Sequence, residues 1–290
     1  MRARVLVALI GLAFAAPAYS QAFRGAPLPQ RGGISVVLSP GYDMNTLAYF
    51  TAMTVQPDSA RKALLATLVK CEKAWGAFDK LDWLTIEAAH DAQAARVNMV
   101  APAKVLSVLP TSLSFTVDRG YSGDGGTNYL SYNEPLAAGG HYTANSATLG
   151  FWWNGAFPTS GVTFMGTASY SNNSGAVSST TSASFRVNGA TPLAASTLTT
   201  DHDVSGSRGD ASTLTVYSGS PGATLTAKAS SSNNAADSTV TSNIGSLLKF
   251  SGTGTNGRIA AAWSGAGLSL AELQAHHVCL GNYLTAIGAQ

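Results

Sequence analysis

The chain has 290 residues, of which 11% are charged, and its 17 Lys and Arg outnumber its 15 Asp and Glu by the two bases Arg2 and Arg4 at the extreme N-terminus. From Gln21 onward it is formally neutral and its longest basic run is the pair Arg61-Lys62, which excludes the clustered cations that phosphate neutralisation requires and sets nucleic acid aside as a partner. A sequence rich in Gly, Ser, Thr and Asn points to a turn-rich β-protein rather than to a helical enzyme.

In chain order, Arg2 and Arg4, the apolar run from Val5 to Ala16 and the small-x-small site Ala18-Tyr19-Ser20 predict an export signal over residues 1–20, cleaved before Gln21. An interfacial anchor, or a start codon placed too early, are the competing readings. Beyond it, no apolar run approaches the roughly 20 residues of a membrane span, so the product is expected to be secreted or particle-associated, with no span after signal removal. Residues 21–44, with Pro27, Pro29, Pro40 and one β-like run from Ile34 to Leu38, read as an arm or linker.

Residues 45–98 read as a helical segment. Asp58 follows Pro57 as an N-cap, and Leu64, Leu68, Cys71, Trp75 and Phe78 recur at helical spacing as one buried stripe. A second helix from Leu81 to Val97, with Leu84, Ala88, Ala92 and Ala95 near one side, completes a helical hairpin.

Over residues 99–290 the period becomes two. Leu113, Phe115 and Val117 alternate with small polar residues, and Leu149, Phe151 and Trp153 alternate with Gly150, Trp152 and Asn154, as half-buried strands do. Asn154-Gly155, Asn188-Gly189 and Asn256-Gly257 are hairpin signals, and Ser218 to Ala223 is a further turn between two strands. No Asp, Glu, Lys or Arg lies between Glu134 and Arg186, which suits a sheet surface in contact with sugars or other subunits. The chain closes with a helix: Ser269 and Glu272 form a capping box, Leu273, Leu280, Leu284 and Ile287 its apolar side, and Gly288 its stop. The expected fold is mainly β, an antiparallel jelly-roll sandwich with an N-terminal helical hairpin and a C-terminal helix. Cys71 and Cys279 fit no metal motif. In an oxidising compartment they pair if they face one core, and otherwise they are two buried thiols; the sequence leaves both open.

Three runs carry a family likeness: Ala88-Ala89-His90-Asp91-Ala92-Gln93-Ala94-Ala95-Arg96-Val97-Asn98, then Phe115-Thr116-Val117-Asp118-Arg119-Gly120-Tyr121-Ser122-Gly123-Asp124-Gly125, then Arg258-Ile259-Ala260-Ala261-Ala262-Trp263-Ser264-Gly265-Ala266-Gly267-Leu268-Ser269. Over roughly residues 45–288 the chain resembles proteins of bacteriophages and proteobacterial prophages, similar to concanavalin A-like (laminin G-like) jelly rolls preceded by short helices. That resemblance implies a virion- or tail-associated role, in which a lectin-like face meets glycans or neighbouring subunits, including copies of itself. A secreted lectin-like adhesin is the alternative.

A glycan hydrolase is the less favoured third reading. No Glu-x-Asp-x-Glu run exists, and in the β region only Asp201-His202-Asp203 alternates two carboxylates, either as a catalytic or metal-binding pair or, preferably, as a polar loop. Asp118 and Asp124 lie in a Gly-rich stretch that serves a structural turn better than a Ca²⁺ site. No resident cofactor is expected, with Ca²⁺, or at Asp201-His202-Asp203 a transition metal held with His202, as the candidate ion. Ser246-Leu247-Leu248-Lys249 matches a Ser-x-x-Lys nucleophile motif, but in a strand context and without its companion boxes. His276 and His277 point about 100° apart on a helix and read as solvated or capping residues. The alternation at Trp152-Trp153 turns Trp153 inward and Trp152 outward. With Asn154, Tyr132, His141 and Tyr142, Trp152 is the candidate aromatic platform for a sugar ring; the competing reading buries it beneath the N-terminal helices or at a subunit contact.

Overall fold

The computed structural model describes residues 41–155, 162–167, 174–179, 182–189, 191–196, 198, 202–232, 244–250, 253–254 and 256–289. The expected export signal and nearly all of the arm lie outside the described residues. Helix α1 spans Met44–Thr51 and α2 Ser59–Ala74, each opened by an aspartate whose carboxylate accepts a first-turn N–H: Asp43 from Thr46 and, as expected, Asp58 from Arg61. The strands follow as β1 Leu81–Thr85, β2 Ser107–Leu109, β3 Ser114–Thr116, β4 Gly120–Ser122, β5 Tyr129–Pro135, β6 Ala147–Trp153, β7 Val162–Thr167, β8 Ser174–Ser179 and β9 Ser182–Arg186. Then come β10 Leu193–Ser196, β11 Asp203–Arg208, β12 Thr213–Gly219, β13 Thr226–Ser232, β14 Ile244–Leu247, β15 Lys249–Phe250, β16 Thr253–Gly254 and β17 Arg258–Gly265, and helix α3 spans Leu270–Ala286.

All but β15 and β16, which pair only with each other, form two antiparallel sheets packed face to face, the expected jelly-roll sandwich. Sheet I runs β13-β12-β11-β6-β17-β4-β3, with β1 also on β17; sheet II runs β10-β9-β8-β7-β14-β5-β2. Local hairpins supply many of the pairings, including β12 to β13 around the Ser218 to Ala223 turn and β9 to β10, where Asn188 takes a positive φ of 54°. Among the described strands, two expected hairpins are absent. Asn154-Gly155 leads out of β6 toward the other sheet, and Asn256-Gly257 leads into β17, whose partners are β6, β4 and β1. An Asn-Gly pair supplies positive φ wherever the chain bends and does not say which strand comes next.

Strand β6 is the middle of the molecule, buried at every residue. Phe151 and Trp153 face sheet II, with ring centroids 4.7 Å and 6.1 Å from Phe164, and Phe151 lies 5.8 Å from Phe185. The opposite face carries Gly150 and Trp152, joined by Asp203 and Ser205 of β11 and Trp263 of β17, which stand directly across the strands. Gly150 is obligatory because a Cβ there would overlap the Trp263 indole. Helix α3 covers this outer face and α2 packs on α3, clipped by a disulfide between Cys71 and Cys279 across 208 residues. The thiols are therefore paired.

The second helix of the expected hairpin does not form over Leu81–Val97. Its first five residues are β1, and the Ala-rich remainder is irregular except for a 3₁₀ turn at Ala94–Arg96. Long-range partners take the backbone groups a helix would use: Ala88 N donates to Ala260 O, Met99 N to Leu84 O and Leu106 N to Arg96 O. Tertiary pairing here overrides alanine's helix propensity. The buried side of α2 is Leu65, Leu68, Val69 and Glu72, whereas Trp75, expected in the stripe, is 62% exposed at the helix end.

Candidate functional site

The aromatic platform expected at Trp152 is not on the surface. Trp152 points away from the sandwich interior, as its alternation requires, but it is fully buried under α3, stacked on the His277 ring at 5.3 Å. Trp153 is buried between the sheets, Asn154 donates to the carbonyl of Ala289, Tyr132 packs on Trp83 at 4.5 Å, and Tyr142 is buried. Of the six residues only His141 is exposed. Strand alternation says which face a side chain takes; it carries no information on what covers that face.

The acidic candidates among the described residues are taken up singly. Asp118, at φ 57° in the β3 to β4 turn, pairs with the Arg61 guanidinium, which also donates to the Tyr283 hydroxyl and so ties the turn to α2 and α3. Asp124 accepts from Gly126 N and Asn128 Nδ2 within its turn, and these bonds hold its carboxyl below the usual range. Asp118 and Asp124 thus sit in two turns, one on either side of β4. Asp203, expected in a polar loop, instead opens β11 and is buried against His277. Asp201 lies outside the described residues. Among the described residues no three His, Cys, Asp or Glu side chains gather as a metal site. Ser246 is buried within β14 and its hydroxyl donates to the Lys249 carbonyl, so the Ser-x-x-Lys match is a strand end with no helix beneath it.

His276 and His277 are each 1% exposed, against the expectation of solvated residues. Helix α3 places them over sheet I, where a buried carboxylate meets each: Glu72 lies 2.9 Å from His276 Nδ1, and Asp203 lies 2.7 Å from His277 Nδ1. Burial alone would pull both imidazoles down, but these carboxylates outweigh it and raise both above the ordinary histidine value.

One open polar constellation does assemble, at the edge of the sandwich by β1. The buried Asp82 carboxylate accepts from the backbone N–H groups of His141 at 3.1 Å and Tyr142 at 2.7 Å, and it lies 2.9 Å from His141 Nδ1. The 3₁₀ turn Leu136–Gly139 can press onto Asp82 only because residue 139 is glycine, since a Cβ there would overlap the carboxylate. The half-exposed imidazole is thereby oriented, with Nδ1 engaged and Nε2 left for an outside partner. From the next position of β1, the buried Trp83 donates its Nε1 hydrogen to Glu134 at 3.0 Å, and Lys104 pairs with the same oxygen while its ammonium lies 5.9 Å from the Trp83 ring. Lys104 also lines a groove of ≈ 670 Å³ whose walls are mostly apolar, with Met44, Leu47 and Ala48 of α1 and Ala101, Pro102 and Ala103. The Asp82 and His141 group can orient a polar ligand by hydrogen bonds, and the groove at Lys104 offers a separate apolar seat. Asp82 and Trp83 were missed from sequence because Leu81–Val97 read as helix, although the run Leu81-Asp82-Trp83-Leu84-Thr85 was an available β signal; Lys104 and Glu134 meet Trp83 only through long-range contacts that no local pattern records.

No protein-family model matches the chain, and no curated protein matches it. Among solved structures it is similar to the Trypanosoma rangeli sialidase, with 9% identity and a TM-score of 0.44 over 75% of this chain and 39% of that one. It is also similar to the CBM40 of the Ruminococcus gnavus IT-sialidase, with 14% identity and a TM-score of 0.36 over 53% of this chain and 95% of that one. The binding domain of botulinum neurotoxin serotype D aligns with 10% identity and a TM-score of 0.41 over 68% of this chain and 51% of that one. The chain thus spans about two fifths of the sialidase's length.

Proposed function

We propose that this protein is a non-enzymatic jelly-roll binding module that works outside the cytoplasm as a phage- or prophage-type structural or receptor-binding protein and takes a glycan at the β1 edge. The observation that carries this reading is the half-exposed His141 imidazole, its Nδ1 held by the buried Asp82 carboxylate and its Nε2 open to a ligand, with the Glu134 and Lys104 pair as a second polar group reached from the next residue of β1. Fixed donors and acceptors of this kind suit sugar hydroxyls. The carboxylates described above are occupied singly by a cation, an imidazole or a turn, which favours binding over the paired carboxyls of a glycosidase. The disulfide supports an exported product, and the phage-type role rests on the three resembling sequence runs. A secreted lectin-like adhesin has the same site and differs in its genomic setting.

The test is a glycan array probed with oxidised protein. Binding is expected, and His141→Ala and Lys104→Ala are each expected to weaken it about tenfold or more, a loss of ~1.4 kcal/mol or more, with melting unchanged. Binding that survives both changes would move the site elsewhere, and release of reducing sugar would replace the reading with an enzymatic one.

A further inference from the structure

His277 faces an acceptor from each of its ring nitrogens. Nδ1 lies 2.7 Å from the Asp203 carboxylate at the start of β11, and Nε2 lies 3.1 Å from the Ser220 carbonyl in the turn after β12. A neutral imidazole carries one N–H, so it can satisfy one of these oxygens and must turn a lone pair toward the other; only the imidazolium donates to both. The ring is 1% exposed and stacked on Trp152, so water cannot fill in for a lost donor and the ring has no second position. We propose that His277 is a pH-sensitive pin: doubly protonated, it fastens α3 to β11 and to the β12 to β13 turn, and on losing a proton it lets that turn go.

The groups around the pin are few. From β11 it meets Asp203; along its own helix, His276, with Glu72 of α2 behind it; from β6, the uncharged Trp152; and from the turn, only backbone, the Ser220 carbonyl and the main chain at Ala223. One further bond, Leu225 N to the Gln274 side chain at 2.6 Å, holds the same turn to α3. Burial opposes protonation, but the Asp203 carboxylate and the Ser220 carbonyl outweigh it and raise the imidazole above 6.5. The pin's contribution is therefore complete below about pH 6.5 and disappears as pH rises through the raised folded value. Because the disulfide joins α2 to α3, the element released is the turn, while the helical layer stays closed.

An NMR pH titration of the intact, oxidised protein tests this. The His277 ring is expected to hold protons on both nitrogens at pH 6 and to titrate above 6.5, with the amides of residues 220–226 shifting at the same midpoint and exchanging faster above it. Asp203→Asn is expected to lower that midpoint by about one unit, a tenfold loss of proton affinity. A single-proton neutral ring at pH 6, or turn amides that ignore the ring's titration, would overturn the proposal. If Asp203→Asn fails to fold, the wild-type titration alone decides.

Discussion

Glu87 shows most directly how one residue's setting governs its chemistry. Its carboxyl is fully buried, and burial pushes it up to about 8 despite the opposing hydrogen bond from the Thr85 hydroxyl. The fold therefore keeps a proton that the unfolded chain releases near 4.5, so stability falls as pH climbs from about 4.5 to about 8 and levels off beyond. Glu87→Gln is expected to raise the melting temperature at pH 8 by several degrees and to flatten that slope; an unchanged melting profile against pH would show the carboxylate to be well accommodated. The two indoles of β6 make a second test at this scale. Since Trp152 and Trp153 are both fully enclosed, on opposite faces, replacing either by Ala is expected to cost roughly 3–5 kcal/mol in chemical denaturation. A near-neutral Trp152→Ala would mean that α3 does not cover the sheet.

Among the elements, the α2 and α3 layer decides the most. Its two helices start where local chemistry says they should, at Asp58 and at the Ser269 and Glu272 capping box, and Gly288 ends α3 with a φ of 69°. What they cover follows from long-range partners: the Cys71 to Cys279 bridge, Lys80 with Glu272, and Arg61 with Tyr283 and Asp118. A bridge closing so long a loop removes much of the unfolded chain's freedom, so replacing both cysteines by Ala is expected to cost roughly 2–5 kcal/mol and to speed exchange first in α2 and α3. Equal denaturation midpoints for the oxidised protein and the double variant would sink this. Strand β1 gives the opposite lesson. Its residues had the composition of a strand, but the Ala-rich run behind them set a helical period, and β1 became a strand only by pairing with β17, which lies far along the chain.

Across the whole molecule, the stretch without charge from Glu134 to Arg186 was read as a contact surface, and for β6 it has another cause. A strand with a sheet on one side and a helical layer on the other has no solvated face on which to keep a charge. The jelly-roll class, the turns at Asp118 and Ser218, the helix caps and the facing of Trp152 against Trp153 were all legible in the chain, because each depends on residues within a turn or two of one another. Only the tertiary structure decided that the outward tryptophan is covered, that both cysteines meet, that two adjacent histidines find separate carboxylates, and that the open site lies at Asp82 and His141. Each of these joins residues dozens to hundreds of positions apart, and periodicity records which way a side chain points without recording what comes to lie against it.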